Sequence, residues 1–108
     1  MTDIKHINSH TESWKTVTEG VEMLVLRAEP GENRVLLRLA PGRAYPVHDH
    51  AVAEEVFILE GIYVDADADK EKQYGPGSYL YYAPGSRHKA TTTSGCTFLV
   101  MNAKQAPS

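Results

Sequence analysis

Two histidines and a glutamate lie close together in residues 48–54, which read HDHAVAE. On a β-strand, His48 and His50 would point to the same face roughly 6.6 Å apart along the chain, which lets two imidazoles converge on one ion. Glu54 follows after three small apolar residues, enough for the chain to turn and bring a carboxylate to the same point. The alternative is a chance His-x-His pair in solvent, so the segment alone indicates only half of a metal site.

A further histidine lies in residues 74–88, which read YGPGSYLYYAPGSRH. The segment predicts a glycine turn, a strand over residues 78–82, a corner at Pro84-Gly85 and then His88 at the start of the next strand. This context allows His88 to enter the same cavity as the first cluster.

Short β-prone runs must position these side chains. From Val21 onward such runs alternate with glycine and proline at intervals of roughly ten residues, which is typical of an all-β sandwich or barrel. The runs are VEMLVLRA, RVLLRLA, AYPVHDH, EVFILEG, IYV, SYLYYA and CTFLVM. No segment carries a helical period. In VLLRLA the apolar residues occupy both faces, as expected when a strand lies between the core and another layer.

Turns and a loop separate these runs. Four Pro-Gly pairs supply the dihedral angles that tight turns need, and they begin at Pro30, Pro41, Pro76 and Pro84. Residues 65–73, DADADKEKQ, are charged and without periodicity, so we predict an exposed loop. A calcium loop is the alternative, but the central glycine and terminal glutamate of an EF-hand are missing.

Residues 42–61, GRAYPVHDHAVAEEVFILEG, resemble the first cupin motif, with Gly42, His48, His50, Glu54 and Gly61 at the motif positions. The second cupin motif is met only in part. Its matching residues are Gly77, Pro84, Gly85 and His88; the proline lies one residue late, and Thr92 stands where the motif has asparagine. The looser form, PGSRH followed by SGC, resembles the cupin domain of ChrR-type anti-sigma factors and of related stand-alone proteins, some of which are dioxygenases of the acetylacetone type.

The resemblance implies an all-β fold, the RmlC-like jelly-roll β-barrel or double-stranded β-helix of cupins. It also implies one divalent transition metal per chain, held by His48, His50, Glu54 and His88. Three neutral imidazoles and one carboxylate suit Fe, Zn, Mn, Ni or Cu rather than calcium or magnesium, and iron or zinc is favoured. We expect a flexible arm over residues 1–13, one cupin domain over 14–103 and a tail over 104–108.

Length and composition narrow the function. The chain has 108 residues, a formal net charge of -3 and scattered basic residues, which indicates one domain and no nucleic-acid partner. No apolar run is long enough for a signal peptide or a membrane span, so no membrane association is expected. The single Cys96 fits a reducing compartment, and we predict a cytoplasmic protein.

Several residues have competing interpretations. Strand parity and the distance to Gly61 favour Glu54 over Glu55 as the ligand. His6 and His10 belong to the polar arm and are expected in solvent. Cys96 could be a redox group or a thiolate ligand, but a buried core residue is favoured. Trp14 is interpreted as a packing anchor rather than a lid.

Five residues could line a substrate pocket, although core packing is the commoner role: Phe57, Ile58, Tyr79, Tyr81 and Leu99.

Three functions remain open. The first is a non-haem metal-dependent dioxygenase or oxidoreductase that acts on a small organic molecule. The second is a zinc-binding sensor or regulatory module, without the helical anti-sigma region that the ChrR resemblance would require. The third, a metal-free epimerase-like cupin, is disfavoured by the complete ligand set. Whether the chain is an enzyme is thus undecided, and a homodimer is expected because open-ended barrels have edge strands to cover.

Overall fold

The computed structural model describes residues 3–45, 48–49, 52–66 and 72–103, with backbone only at residues 48, 49 and 103. Within these ranges the chain forms eleven β-strands and no helix, as expected for an all-β protein. The strands are β1 (Lys15–Thr18), β2 (Val21–Glu29), β3 (Glu32–Leu39), β4 (His48–Asp49), β5 (Ala53–Gly61), β6 (Tyr63–Asp65), β7 (Lys72–Tyr74), β8 (Tyr79–Tyr82), β9 (Arg87–His88), β10 (Ala90–Thr91) and β11 (Cys96–Ala103).

The strands form three antiparallel sheets. The largest has six strands in the order β1-β2-β3-β11-β5-β8, the second has the order β10-β6-β7, and the third pairs β4 with β9. The last strand, β11, lies between β3 and β5, so residues distant in sequence become neighbours in the same sheet.

Strand parity explains which side chains form the core. On β3 the residues Val35, Leu37 and Leu39 share one face, and in register with them lie inward residues of β5 and β11. The buried cluster consists of Val21, Leu37, Leu39, Val56, Ile58, Tyr63, Ala90, Cys96, Phe98 and Val100. Because side chains alternate along a strand, the intervening residues face the other side of the six-stranded sheet.

The outward face of the six-stranded sheet is partly covered by the N-terminal segment. Leu36 is 6% exposed although it lies opposite the core, which agrees with the expectation that β3 separates two layers. Trp14 is half-buried and stacks on the guanidinium of Arg38, 3.9 Å from the ring centroid, and its indole N–H donates to the carbonyl of Ser9. Trp14 thus packs as an anchor on the outer face, and its interpretation as a lid is wrong.

The Pro-Gly turns occur where the sequence predicts them. At Gly31, between β2 and β3, and at Gly85, before β9, φ is 84° and 83°, a region that glycine adopts without steric cost. The predicted loop over residues 65–73 needs correction. Asp65 ends β6 and is buried, while Lys72 and Gln73 begin β7; residues 67–71 lie outside the described residues.

Candidate metal centre

The side chains of Glu54 and His88 are in contact in the interior of the protein. Glu54 lies near the start of β5 and is 6% exposed, and His88 ends β9 and is 3% exposed. The imidazole Nε2 of His88 lies 3.1 Å from the carboxylate Oε2 of Glu54. Two polar side chains that are rarely buried are therefore placed in contact, and both are predicted ligands.

The structure places the other two predicted ligands only in part. The backbone of His48 lies on β4, directly opposite His88 in the antiparallel pair with β9. The side chain of His48 and the whole of His50 lie outside the described residues. Among the residues that are described, no group of three or more potential metal ligands gathers, so the four-ligand site stays a prediction.

Glu55, the alternative to Glu54, faces away from this site. Its carboxylate accepts a hydrogen bond from the hydroxyl of Tyr79, its neighbour on the outer face of β8. Glu54 instead shares the inner face of β5 with Val56 and Ile58, which are both buried. Alternation along the strand separates the two glutamates, as parity predicts.

Tyr82, Tyr63 and Asp65 form a hydrogen-bonded group that supports His88. The ring of Tyr82 packs on the imidazole with 3.9 Å between centroids and 37° between planes. The hydroxyl of Tyr82 donates to Oδ2 of buried Asp65 at 2.9 Å and lies 3.2 Å from the hydroxyl of Tyr63. A phenol has one hydrogen, so Tyr63 is the donor in the second bond. Burial raises the pKa of both phenols well above the usual range for tyrosine, which keeps them protonated donors.

A cavity of about 180 Å³ adjoins the Glu54–His88 pair. Apolar side chains from β2, β3, β5, β10 and β11 form most of its wall: Met23, Val35, Leu37, Val56, Ala90, Phe98 and Val100. Its polar lining comes from Glu54, His88, Asn102 and the two tyrosines Tyr45 and Tyr63. The candidate ligands thus lie at the wall of a small, mainly apolar chamber between the sheets.

None of the five residues that the sequence offered as possible pocket lining belongs to the wall of this chamber. Phe57, Tyr79 and Tyr81 are exposed on the outer face, Leu99 shares that face by parity, and Ile58 lies in the core. The apolar composition of these strands could not distinguish inner from outer positions, because both faces carry large side chains.

Asn102 is a polar lining residue that sequence reasoning missed. It is half-buried near the end of β11 and is the cross-strand partner of Glu54. In the run CTFLVMN it has the same parity as the buried residues Phe98 and Val100. A polar residue at an inward position of an otherwise apolar strand could have indicated that Asn102 faces a cavity.

The remaining candidates lie elsewhere. Cys96 is 5% exposed within the core, as predicted, and burial raises the pKa of its thiol to about 11. His6 and His10 are exposed in the N-terminal segment, as expected for solvated side chains. No helix in the described ranges is long and apolar enough to cross a membrane.

The donor chemistry of Glu54 and His88 fits a divalent transition metal. A carboxylate in an apolar cavity is costly unless a cation or hydrogen-bond donors compensate its charge. Imidazole and carboxylate are ligands that iron, zinc and manganese accept. The register also places the backbone of His48 opposite His88.

Comparison with known proteins agrees with the motif. The model of the ChrR cupin-like domain matches residues 3–106. A search of curated proteins found no match.

Solved structures with the same fold include both enzymes and a regulator. An RmlC-like cupin from Shewanella frigidimarina superposes with a TM-score of 0.82 and 16% identity over 97% of this chain and 96% of that one. An acetylacetone dioxygenase from Acinetobacter johnsonii superposes with a TM-score of 0.83 and 16% identity over 95% of this chain and 76% of that one. The anti-sigma factor ChrR of Rhodobacter sphaeroides, solved with SigE, superposes with a TM-score of 0.76 and 22% identity over 88% of this chain and 51% of that chain. This chain therefore spans about half the length of ChrR. These similarities confirm the cupin fold.

Proposed function

Because this chain belongs to the ChrR cupin-like domain family, we propose that it holds one divalent transition metal and acts as a non-haem metal-dependent dioxygenase or related oxidoreductase. The substrate is a small organic molecule. His48, His50, Glu54 and His88 are the proposed ligands, and iron is the metal that this activity favours, with manganese or nickel as alternatives.

The observation that carries this proposal is the buried contact between Glu54 and His88 beside a small, mainly apolar cavity. When bound, the metal would supply Lewis acidity or one-electron chemistry. The protein's own side chains would hold the ion and orient the imidazole of His88 through Tyr82. The apolar wall would exclude water from the space beside them, which strengthens electrostatic interactions there.

Oxygen consumption tests the enzymatic proposal. The iron-loaded protein is expected to consume oxygen in the presence of small ketones and phenols, and Glu54→Ala is expected to abolish the reaction. Glu55 is the adjacent, outward-facing glutamate, and Glu55→Ala is the matched control that is expected to keep oxygen consumption. An iron-loaded protein that consumes no oxygen with any such compound would contradict the proposal.

A zinc-binding sensor or regulatory module is the second candidate. It is supported by the family match and by the likeness to ChrR, an anti-sigma factor solved in complex with SigE. Tightly held zinc, which does not change oxidation state, would favour this function over catalysis. Co-purification of a specific protein that is released by oxidant would support it, whereas a pull-down unchanged by oxidant would count against it.

We also propose that the chain forms a homodimer in the cytoplasm. The strand β8 lies at an edge of the six-stranded sheet and exposes Tyr79 and Tyr81, with Phe57 beside them on β5. Exposed aromatic residues at a sheet edge are typical of protein interfaces, and a second copy would cover both the edge and the rings.

A further inference from the structure

The size of the cavity limits what can enter it. At about 180 Å³, it is slightly larger than the cavity of about 150 Å³ that accommodates benzene in an engineered protein core. It is smaller than the roughly 300–1,000 Å³ of sites that enclose drug-sized ligands. A single ring with a short substituent therefore fits, whereas a disaccharide or nucleotide does not.

The lining offers a ligand few hydrogen-bond partners. Apolar side chains form most of the wall, and the polar residues among the described ones that line it are Tyr45, Glu54, Tyr63, His88 and Asn102. A sugar would leave most of its hydroxyl groups against valine, leucine and phenylalanine, without hydrogen-bond partners.

One amide is available to recognise an oxygen atom of the ligand. The side chain of Asn102 lines the cavity, and its strand register places it beside Glu54. Within the described part of the chain the Asn102 side chain makes no hydrogen bond, and the side chain of Arg34 donates to its backbone carbonyl instead. A half-buried amide with free donors gains most from a ligand that offers an acceptor.

We propose that the cavity binds a mainly apolar, single-ring-sized molecule with one carbonyl or hydroxyl oxygen, and that Asn102 orients this oxygen toward the Glu54–His88 pair. The inference rests on the proposed function, because it names the substrate class of the same site. Asn102 is assigned as a specificity-determining residue.

Binding to the zinc-supplemented protein tests the substrate class without turnover, since zinc is redox-inert. Acetophenone and glucose are titrated while backbone chemical shifts are followed by NMR. We expect acetophenone to bind at least about tenfold more tightly than glucose. Equal or tighter binding of glucose would overturn the inference.

Two substitutions at matched positions test the role of Asn102. Asn102→Leu is expected to weaken acetophenone binding by about fivefold, the effect of one lost hydrogen bond, without weakening ethylbenzene binding. Asn33→Leu makes the same change at the exposed cross-strand neighbour and should alter neither affinity. If both variants bind both ligands as the parent does, Asn102 does not recognise the oxygen and its assignment fails.

Filling the cavity tests whether the ligand enters it. Val100→Phe should abolish acetophenone binding, and Leu99→Phe on the opposite face of β11 should not. Val100→Met is a smaller change that serves if the first variant does not fold. Unchanged binding in a folded Val100 variant would overturn the inference.

Zinc content, measured on the same samples, separates the two proposals. Bound zinc without acetophenone binding contradicts only the substrate class. Acetophenone binding without zinc contradicts only the metal-dependent function.

Discussion

Glu54 and His88 are buried together because β5 and β9 converge at one end of the core. Their contact is 3.1 Å long and neither side chain is more than 8% exposed. In an apolar environment such a pair must be held firmly, since an imidazole that rotates away takes a partner from a buried carboxylate. Tyr82 provides part of this restraint through its ring, and Asp65 and Tyr63 hold its hydroxyl.

Tyr82→Phe tests that network at the residue scale. The variant keeps the ring on His88 but removes both contacts of the hydroxyl, leaving buried Asp65 one donor fewer. We expect the free energy of unfolding of the metal-free protein to fall by about 1–3 kcal/mol in guanidinium titrations. Tyr81→Phe, on the exposed outer face, should change it by less than about 0.5 kcal/mol. Equal effects of the two changes would contradict the network.

Cys96 provides a pH-dependent prediction. Burial raises the pKa of its thiol from the ordinary value of 9.0 to about 11, against a smaller opposing effect of the Thr92 hydrogen bond. The unfolded chain therefore loses the thiol proton at lower pH than the folded chain, and this contribution to stability disappears as pH rises from 9 to 11. Iodoacetamide should modify Cys96 slowly at pH 8 and rapidly after unfolding. Equal rates in the two states would show an accessible thiol.

The sequence was enough to predict which residues close to the motif face the candidate site, but not which residues from distant parts of the chain do so. The separation of Glu54 from Glu55 follows from parity along one strand, because the six-residue distance to Gly61 fixes the phase. Asp65, Tyr82 and Asn102 come from three other strands. Their proximity depends on the register of pairings between strands, which a single sequence does not specify.

At the scale of elements, the bend at the end of β5 depends on Gly61. Its φ is +75°, and an added Cβ would lie 2.0 Å from the carbonyl oxygen of Gly95. The register between β5 and β11 shifts between Thr97 and Phe98, next to this contact. The motif glycine thus allows two backbone segments to approach more closely than any side chain permits.

Gly61→Ala is expected to be more costly than the same change at another glycine with positive φ. The steric overlap adds to the backbone strain, and we expect a loss of about 3 kcal/mol or more. Gly77→Ala, with φ of +90° and no atom within 4 Å of the added Cβ, should cost about 1–2 kcal/mol. Urea unfolding of both variants checks the difference; equal midpoints would contradict the close approach.

At the scale of the whole molecule, the exposed aromatic edge predicts association. Sedimentation equilibrium should give twice the chain mass of 11.9 kDa. The double substitution Tyr79→Lys and Tyr81→Lys should produce a monomer by charge repulsion. Val17→Lys on the opposite edge strand β1 should leave the dimer intact. A parent protein that sediments as a monomer at micromolar concentration would contradict the homodimer.

The fold class followed from the sequence because turn residues and β-prone runs alternate along most of the chain. Strand β1 was not predicted, since KTVT is short and fully exposed and so lacks an apolar pattern. The order of strands could not be deduced either. It places β11 between β3 and β5, a long-range pairing that local patterns do not encode.

The metal content of single-residue variants tests the central claim most directly. Protein purified without oxygen and without a histidine tag should contain about one transition-metal ion per chain, as expected for a mononuclear His and carboxylate site. The ion should be lost in Glu54→Ala and His88→Ala and retained in the matched controls Glu55→Ala and His10→Ala. Absence of metal from the parent protein, or its retention when both Glu54 and His88 are replaced, would contradict a metal centre at this position.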